Sequence, residues 1–338
     1  MLNASICTPS YNRRDLLLTT LRSLDRQTVD PDRFEVVVVD DGSTDGTVET
    51  LADLSTRYRL RWVTQQNAGP AAATNAAAEL AEHDVLIFLD ADQICDPEMV
   101  ATHLETHERE GNVFVQGLFP LAEGYRSRAS SLLYEKSLLD ALAPLDRRHP
   151  LSPHMWSAQV SVRRSAWEEV GGFDTSFRAY GGEDTDFGLR IAALGIPFVF
   201  EPRALSYHLH EVSCGAFGRQ GFDEGRSVIR LANKHGLRME DLFGGPLRNP
   251  IDRPVLAAWR ATPQGMRALG WAMTNGVRMT DLLRVPAAQL LAARLVYRFY
   301  KLGGLAAEMR RSVESAGPGG VEPGLHSDAV PPAAAQGR

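Results

Sequence analysis

Two aspartates stand one residue apart in "FLDADQ", Asp90 and Asp92, directly after a run of apolar side chains. In extended chain, residues i and i+2 project to the same side, so both carboxylates reach one site. Hard oxygen ligands of this kind suit Mg²⁺ or Mn²⁺, yet the same pair can simply cap the turn after a buried strand. A second acidic pair, Glu183 and Asp184 in "YGGEDTDF", is equally double-edged. It can supply a general base, or it can complement the positive end of a helix. His208 and His210 in "LSYHLH" alternate on an extended segment and share a side. His103 and His107 have helical spacing, but "HLETH" lacks the order of a zinc-protease helix, and both are expected to be solvated.

The elements that must position these groups read as strand–helix units. "ASICT", "FEVVVVD", "LRWVTQ", "DVLIFLD" and "NVFVQGLF" are apolar runs of strand length, and leucine- or alanine-rich helical patterns separate them. The continuous β-branched run is that of a strand buried on both faces. Ser43 or Thr44 is expected to cap the second helix, and Pro70 to open the third. The alternation predicts an α/β fold with a doubly wound sheet. Residues 120–150 form a looser helical excursion, after which "SAQVSV" and "PFVFEP" resume strands, and from about residue 215 the pattern is helical. The Gly-, Pro- and Ala-rich end is expected to be disordered. In an open α/β sheet, ligands bind beyond the carboxyl ends of the strands. "TPSYN", "DDGSTDGT", "QQNAGP" and "DADQ" all fall at such ends, which makes their convergence informative where one alone would not be.

Composition narrows the classes. Of 338 residues, 44% are apolar and 23% charged, as in soluble globular proteins. No run nears a membrane span and no basic-then-apolar leader opens the chain, so a cytoplasmic protein is expected. Three scattered cysteines indicate neither a disulfide framework nor a thiolate metal site. Residues 251–311 hold ten basic and three acidic residues, whereas the 250 before them hold 25 and 36. An acidic body argues against nucleic-acid binding.

Taken in order, "TPSYNR", "VVVVDDGSTDGT", "QNAGPAAATN", "FLDADQ" and "GGFDTSFRAYGGEDTDF" resemble the motif series of family 2 glycosyltransferases, over roughly residues 3–212. The resemblance implies a GT-A fold with a Rossmann-like, mostly parallel central sheet flanked by helices, here followed by a C-terminal helical extension. It also implies inverting transfer of a sugar from a nucleoside diphosphate-sugar donor, with a UDP-sugar the first expectation, assisted by Mn²⁺ or Mg²⁺. The acceptor is a glycan, lipid-linked or small-molecule hydroxyl.

By the same resemblance Asp92 is the metal ligand, Asp90 faces the donor ribose or supports the metal, and Ala91 between them borders the donor. Thr8 and Pro9 border the base through their backbone, Tyr11 stacks on it, and Asp41 accepts from a ring N–H. Asn67, Gly69 and Asn75 are further donor contacts. Asp184 is the general base and Glu183 orients the acceptor, while Gly181 and Gly182 let the backbone approach the sugar. His208 adds a second metal ligand. Related sequences often carry a Gly–Asn step where this chain has Ala158 and Gln159, after Trp156, a residue that stacks on a sugar or fills core.

The expected organisation is a GT-A domain over 1–214, with a nucleotide-binding half 1–118 and an acceptor half 119–214. A basic helical region at 215–312 and a disordered tail at 313–338 follow. Arg294, Arg298 and Lys301 share one stripe of the last helix, and Leu291, Leu295, Phe299 and Leu302 another. This stripe packs on the parent domain, or residues 251–311 make peripheral contact with the cytoplasmic face of a membrane. A non-catalytic sugar- or nucleotide-binding protein and a haloacid dehalogenase-type phosphotransferase are the alternative functions.

Overall fold

Alternate residues of the first strands serve opposite faces of one sheet. In β1 (Ala4–Ser10), β2 (Phe34–Asp40) and β4 (Val85–Leu89), Cys7, Val37, Val39, Leu86 and Phe88 enter one apolar cluster. Their neighbours Ile6, Val36, Val38, Val85 and Ile87 enter the cluster on the other face. Both faces are thus sealed, which is why these strands read as unbroken apolar runs. The computed structural model describes residues 1–142, 148–149, 157–177, 180–237 and 249–316. Trp156 and all but the first residues of the expected tail lie outside them.

With β3 (Arg59–Thr64), β5 (Gln93–Cys95), β6 (Phe114–Leu118), β8 (Gln159–Arg163) and β9 (Phe198–His208), the strand order is β3-β2-β1-β4-β8-β6-β9-β5, and β7 (Arg148–His149) also pairs with β9. The first four strands are parallel. β8 runs antiparallel to both β4 and β6, so the second half of the sheet is mixed. One face is covered by α1 (Arg14–Leu24) and α4 (Met99–Glu110), the other by α3 (Pro70–Leu80), α6 (Arg164–Val170) and α7 (Glu183–Ala193). α2 (Thr47–Ala52) starts later than its expected Ser43 or Thr44 cap. Asp45 instead accepts from the Thr47 amide and hydroxyl.

His103 and His107 are not solvated, because the side of α4 that carries them packs against β8, and both are fully buried. The Ser161 hydroxyl lies 2.8 Å from His103 Nδ1 and 2.8 Å from His107 Nε2. A hydroxyl donates one proton, and the Gly111 carbonyl facing His107 Nδ1 orders the rest. His107 donates from Nδ1 to that carbonyl and accepts from Ser161 at Nε2, and Ser161 accepts from His103 Nδ1. His103 Nε2 is left bare, with no partner among the described residues. Burial pushes His103 down to about 3 and His107 down to about 4.

The C-terminal helices are α8 (Cys214–His235), α9 (Asp252–Ala261), α10 (Pro263–Leu283) and α11 (Pro286–Ala316), with α5 (Ala129–Leu142) beneath them. α8 and α11 meet backbone to backbone. A methyl on Gly225 would lie 2.0 Å from the Lys301 carbonyl oxygen, and one on Gly304 1.8 Å from that of Phe222. The expected stripes of α11 divide along its length: Phe299 and Leu302 are buried, while Leu291 and Leu295 are exposed. Arg298 and Lys301 turn to Asp252 and Glu224.

Two outcomes follow from these contacts. Gly225→Ala raises helix propensity by about 1 kcal/mol, but the added methyl forces the α8–α11 crossing apart. The melting temperature is therefore expected to fall; a rise would show that the helices can separate freely. For the histidine pair, the unfolded chain binds protons below about pH 6.5 that the native state refuses until about pH 4. Stability therefore falls as pH drops through that window, by up to about 1.4 kcal/mol per pH unit per histidine. His107→Gln should remove about one histidine's share of that slope in urea melts at stepped pH.

Candidate functional site

The carboxyl ends of β1 and β4 and the far end of β9 converge. Asp92, in the turn from β4 to β5, is 2% exposed and needs compensating charge. His208 Nε2 lies 2.9 Å from its Oδ1, and Arg13, at the start of α1, pairs with Oδ2. The Leu209 amide donates to the Asp92 carbonyl at 2.8 Å, so backbone and side chain bind the same two segments. Burial opposes the Asp92 anion, yet His208 and Arg13 outweigh it and hold its carboxyl well below the usual range. His208 responds in the opposite sense: burial disfavours its cation, but Asp92 and Asp90 raise its pKa. Asp90 is pushed up to about 6, first by burial and then by the Asp92 charge, with Asp184 adding to the rise. Neighbouring carboxylates whose environments separate their pKa values are a common mark of divided roles.

Three further groups join this cluster: His210, which the sequence sets beside His208 on one extended segment, and Arg13 and Tyr134, which the sequence reading did not single out. His210 is 8% exposed, and one ring nitrogen lies within 4.8 Å of ligand atoms of both Asp92 and His208. Burial lowers it to about 3, so it is a neutral imidazole, fit to ligate. Tyr134 on α5 places its hydroxyl 2.8 Å from His208 Nδ1 and stacks on His210 at 4.5 Å. That fixes which His208 nitrogen faces Asp92. Arg13 directly follows "TPSYN", where its place after a strand end was visible; Tyr134 lies in a helix with no local signal.

The second acidic pair sits in the first turn of α7, where Asp184 Oδ1 and Glu183 Oε2 are buried without a hydrogen-bond partner among the described residues. Burial raises both, and the Asp184 charge raises Glu183 further. Gly182 adopts φ +105°, and a methyl there would lie 2.7 Å from Ser227 Cβ. Its smallness therefore serves the packing of α8. The Ser227 hydroxyl also donates to the Gly181 carbonyl.

Around the expected base pocket, Thr8 is buried, Pro9 half-buried and Tyr11 half exposed at the end of β1. Asp41 is buried and accepts from the Ala68 and Gly69 amides, both at 2.9 Å, and from Gln65 Nε2 at 2.7 Å. Its carboxylate thus shapes the loop that carries Asn67 and Gly69, and Gly69 needs its φ of +93° to enter α3. Asn75 ties α3 to Phe173 through both ends of its amide, at 2.8 Å each. Ala91 is buried. The Ala158 carbonyl accepts from the Asp90 amide at 3.0 Å and Gln93 Nε2 at 2.6 Å, so the departure from Gly–Asn lies directly beside the acidic strand end.

The family model described as glycosyl transferase family 2 matches residues 5–171, and one described as the N-terminal domain of galactosyltransferase matches 142–211. A validoxylamine A glucosyltransferase of Streptomyces hygroscopicus subsp. limoneus is 34% identical over 219 residues, covering 57% of this chain and 48% of the relative. The uncharacterized glycosyltransferase YfnE of Bacillus subtilis is 29% identical over 309 residues, 76% of this chain and 77% of that one. The chain thus spans about half the length of the validoxylamine relative. In fold it is similar to the mannosyltransferase PcManGT of Pyrobaculum calidifontis, solved with GDP-Man and Mn²⁺, at TM-score 0.58, 20% identity and coverage of 87% and 86%. S. aureus TarS 1-349 with UDP-GlcNAc gives 0.52, 18% identity and 92% of each chain. Sequence match and fold agree over the same strands, and on that agreement the chain belongs to glycosyl transferase family 2.

Proposed function

We propose that this protein is a metal-dependent, inverting glycosyltransferase that moves a sugar from a nucleoside diphosphate-sugar, first of all a UDP-sugar, to the hydroxyl of a glycan, lipid-linked or small-molecule acceptor. The observation that carries the reading is the meeting of Asp92 and His208 with Asp90 and Asp184, from chain segments far apart, at the strand ends. Family membership sets aside the phosphotransferase alternative. Retention of both a buried ligand cluster and a buried acid favours an enzyme over a non-catalytic binder.

The residues fit a divalent cation. Asp92 offers an ionised carboxylate and His208 an imidazole, with His210 beside them. Carboxylate suits both Mg²⁺ and Mn²⁺, and the imidazoles tilt the set toward Mn²⁺. When bound, such an ion neutralises the charge that develops on the departing pyrophosphate. Arg13 places a second positive charge at the same spot. Tyr134 holds the His208 ring, and Asp90 meets the donor ribose or supports the metal. Thr8, Pro9, Tyr11 and Asp41 border the base, with Asn67, Gly69 and Ala91 lining the donor's path.

Asp184 takes the proton of the acceptor hydroxyl as that oxygen bonds to the anomeric carbon. The bond from that carbon to the diphosphate oxygen breaks on the opposite face, which inverts the centre. Burial makes the Asp184 carboxylate a stronger base than a solvated one. Glu183 beside it orients the acceptor. The reading places the protein in the cytoplasm, with peripheral contact of residues 251–311 with a membrane surface.

Asp184→Asn should slow transfer by about 10²–10⁴-fold while leaving the thermal stabilisation by UDP with Mn²⁺ intact. Wild-type turnover by this variant would remove Asp184 as the base. Asp92→Asn should abolish the Mn²⁺-dependent part of that stabilisation, measured against GDP and dTDP as well. Were the shift unchanged, or the same with and without Mn²⁺ in the native protein, the metal assignment would fail.

A further inference from the structure

We propose that the outer side of α10, with the turn joining it to α11, docks on an anionic lipid bilayer. Trp271, Met279, Leu282 and Leu283 are 70%, 60%, 75% and 70% exposed, whereas Met266, Gly270, Thr274 and Val277 on the opposite side are buried. Trp271 and Leu282 stand three helical turns apart and project within about 20° of each other. Arg267 and Arg278 have the same spacing and run along one edge of this stripe. In the turn, Leu282 to Val285 are all exposed, and Arg284 holds a left-handed conformation at φ +51° that presents it between apolar neighbours.

Charge selects the occupant. Residues 251–311 contain three acids, and none faces out with the stripe. Asp252 is buried against Arg298, and Glu308 is buried between Arg226 and Arg230. Asp281 is half-buried and accepts from the Ala129 amide at 2.8 Å and from Gln289 at 3.0 Å. The exposed charge of α10 and the first turns of α11 is therefore Arg267, Arg278, Arg284 and Arg294. An apolar stripe containing Trp and rimmed by arginine suits the headgroup level of a bilayer. No helix among the described residues is long and apolar enough to cross a membrane, so the helix would lie on the surface. A second copy is the competing occupant. A two-fold interface would set this patch against itself, four guanidinium groups facing four with no acid between them. Anionic headgroups supply the missing counter-charge.

The face is mechanically joined to the site. Asp281, near the end of α10, holds the first amide of α5, and Tyr134 on α5 reaches His208. The proposal deepens the peripheral contact of the preceding reading but does not depend on the transfer chemistry, so nucleotide binding is measured beside it.

Flotation of the full chain with vesicles of phosphatidylcholine, alone or with phosphatidylglycerol, decides the matter. The chain should float with the anionic vesicles, weakly with neutral ones, and less as salt rises. Trp271→Glu with Leu282→Glu, and separately Arg267→Glu with Arg278→Glu, should each reduce binding by roughly tenfold or more. Both should keep the native UDP and Mn²⁺ thermal shift, which also shows that they fold. A native chain that stays unbound, or variants that float equally well, would overturn the proposal. So would a native dimer in sedimentation that the Trp271→Glu pair splits, since the face would then belong to a second copy.

Discussion

A carboxylate that has lost its water must find positive charge nearby, and Asp92 is buried to 2% exposure. It finds that charge in Arg13, from just beyond β1, and in His208, from the end of β9, partners 79 and 116 residues away in the chain. Satisfying one anion therefore fixes the first parallel strand, the turn after β4 and the last strand of the mixed half at one point. The rest arranges itself around that junction. α5 is held against it by Tyr134, and Leu209 closes the backbone behind it. Asp90, two residues from Asp92, inherits a field that Asp92 sets.

The balance of terms differs at the two acidic pairs. At Asp92 the nearby cations exceed the cost of burial, whereas at Glu183 and Asp184 burial prevails. Two acids of the same type on one rim thus acquire opposite tendencies, one to stay ionised and one to seek a proton. This separation comes from the positions of the helices and strands, which place Arg13 and His208 on one side and leave Asp184 facing Ser157 on the other.

Much of the parallel half was legible because its physics is local. Apolar runs buried on both faces identify β1, β2 and β4 without knowledge of their neighbours. Asp90, Asp92, Asp184 and His208 could be named from the resemblance of the motif series, and the structure brings them together. What escaped depends on contacts between distant segments. The reversal of β8 is set by pairing, the burial of His103 and His107 by which side of α4 meets the sheet, and the place of Tyr134 by the docking of a whole helix. The packing roles of Asn75 and Gly182 likewise come from distant partners, Phe173 and Ser227.

The glycine seam between α8 and α11 bears on how this chain can be divided. Where two helices touch through carbonyl oxygens and α-carbons, neither surface is a generic apolar face that another helix could cover. α8 begins four residues after His210, and its Ser227 holds the loop before Glu183. A shortened version lacking α11 would thus strip the support from the helix that holds the loop before Glu183 and Asp184. A cut near residue 214 would likewise take from the loop before Glu183 the helix whose Ser227 holds it.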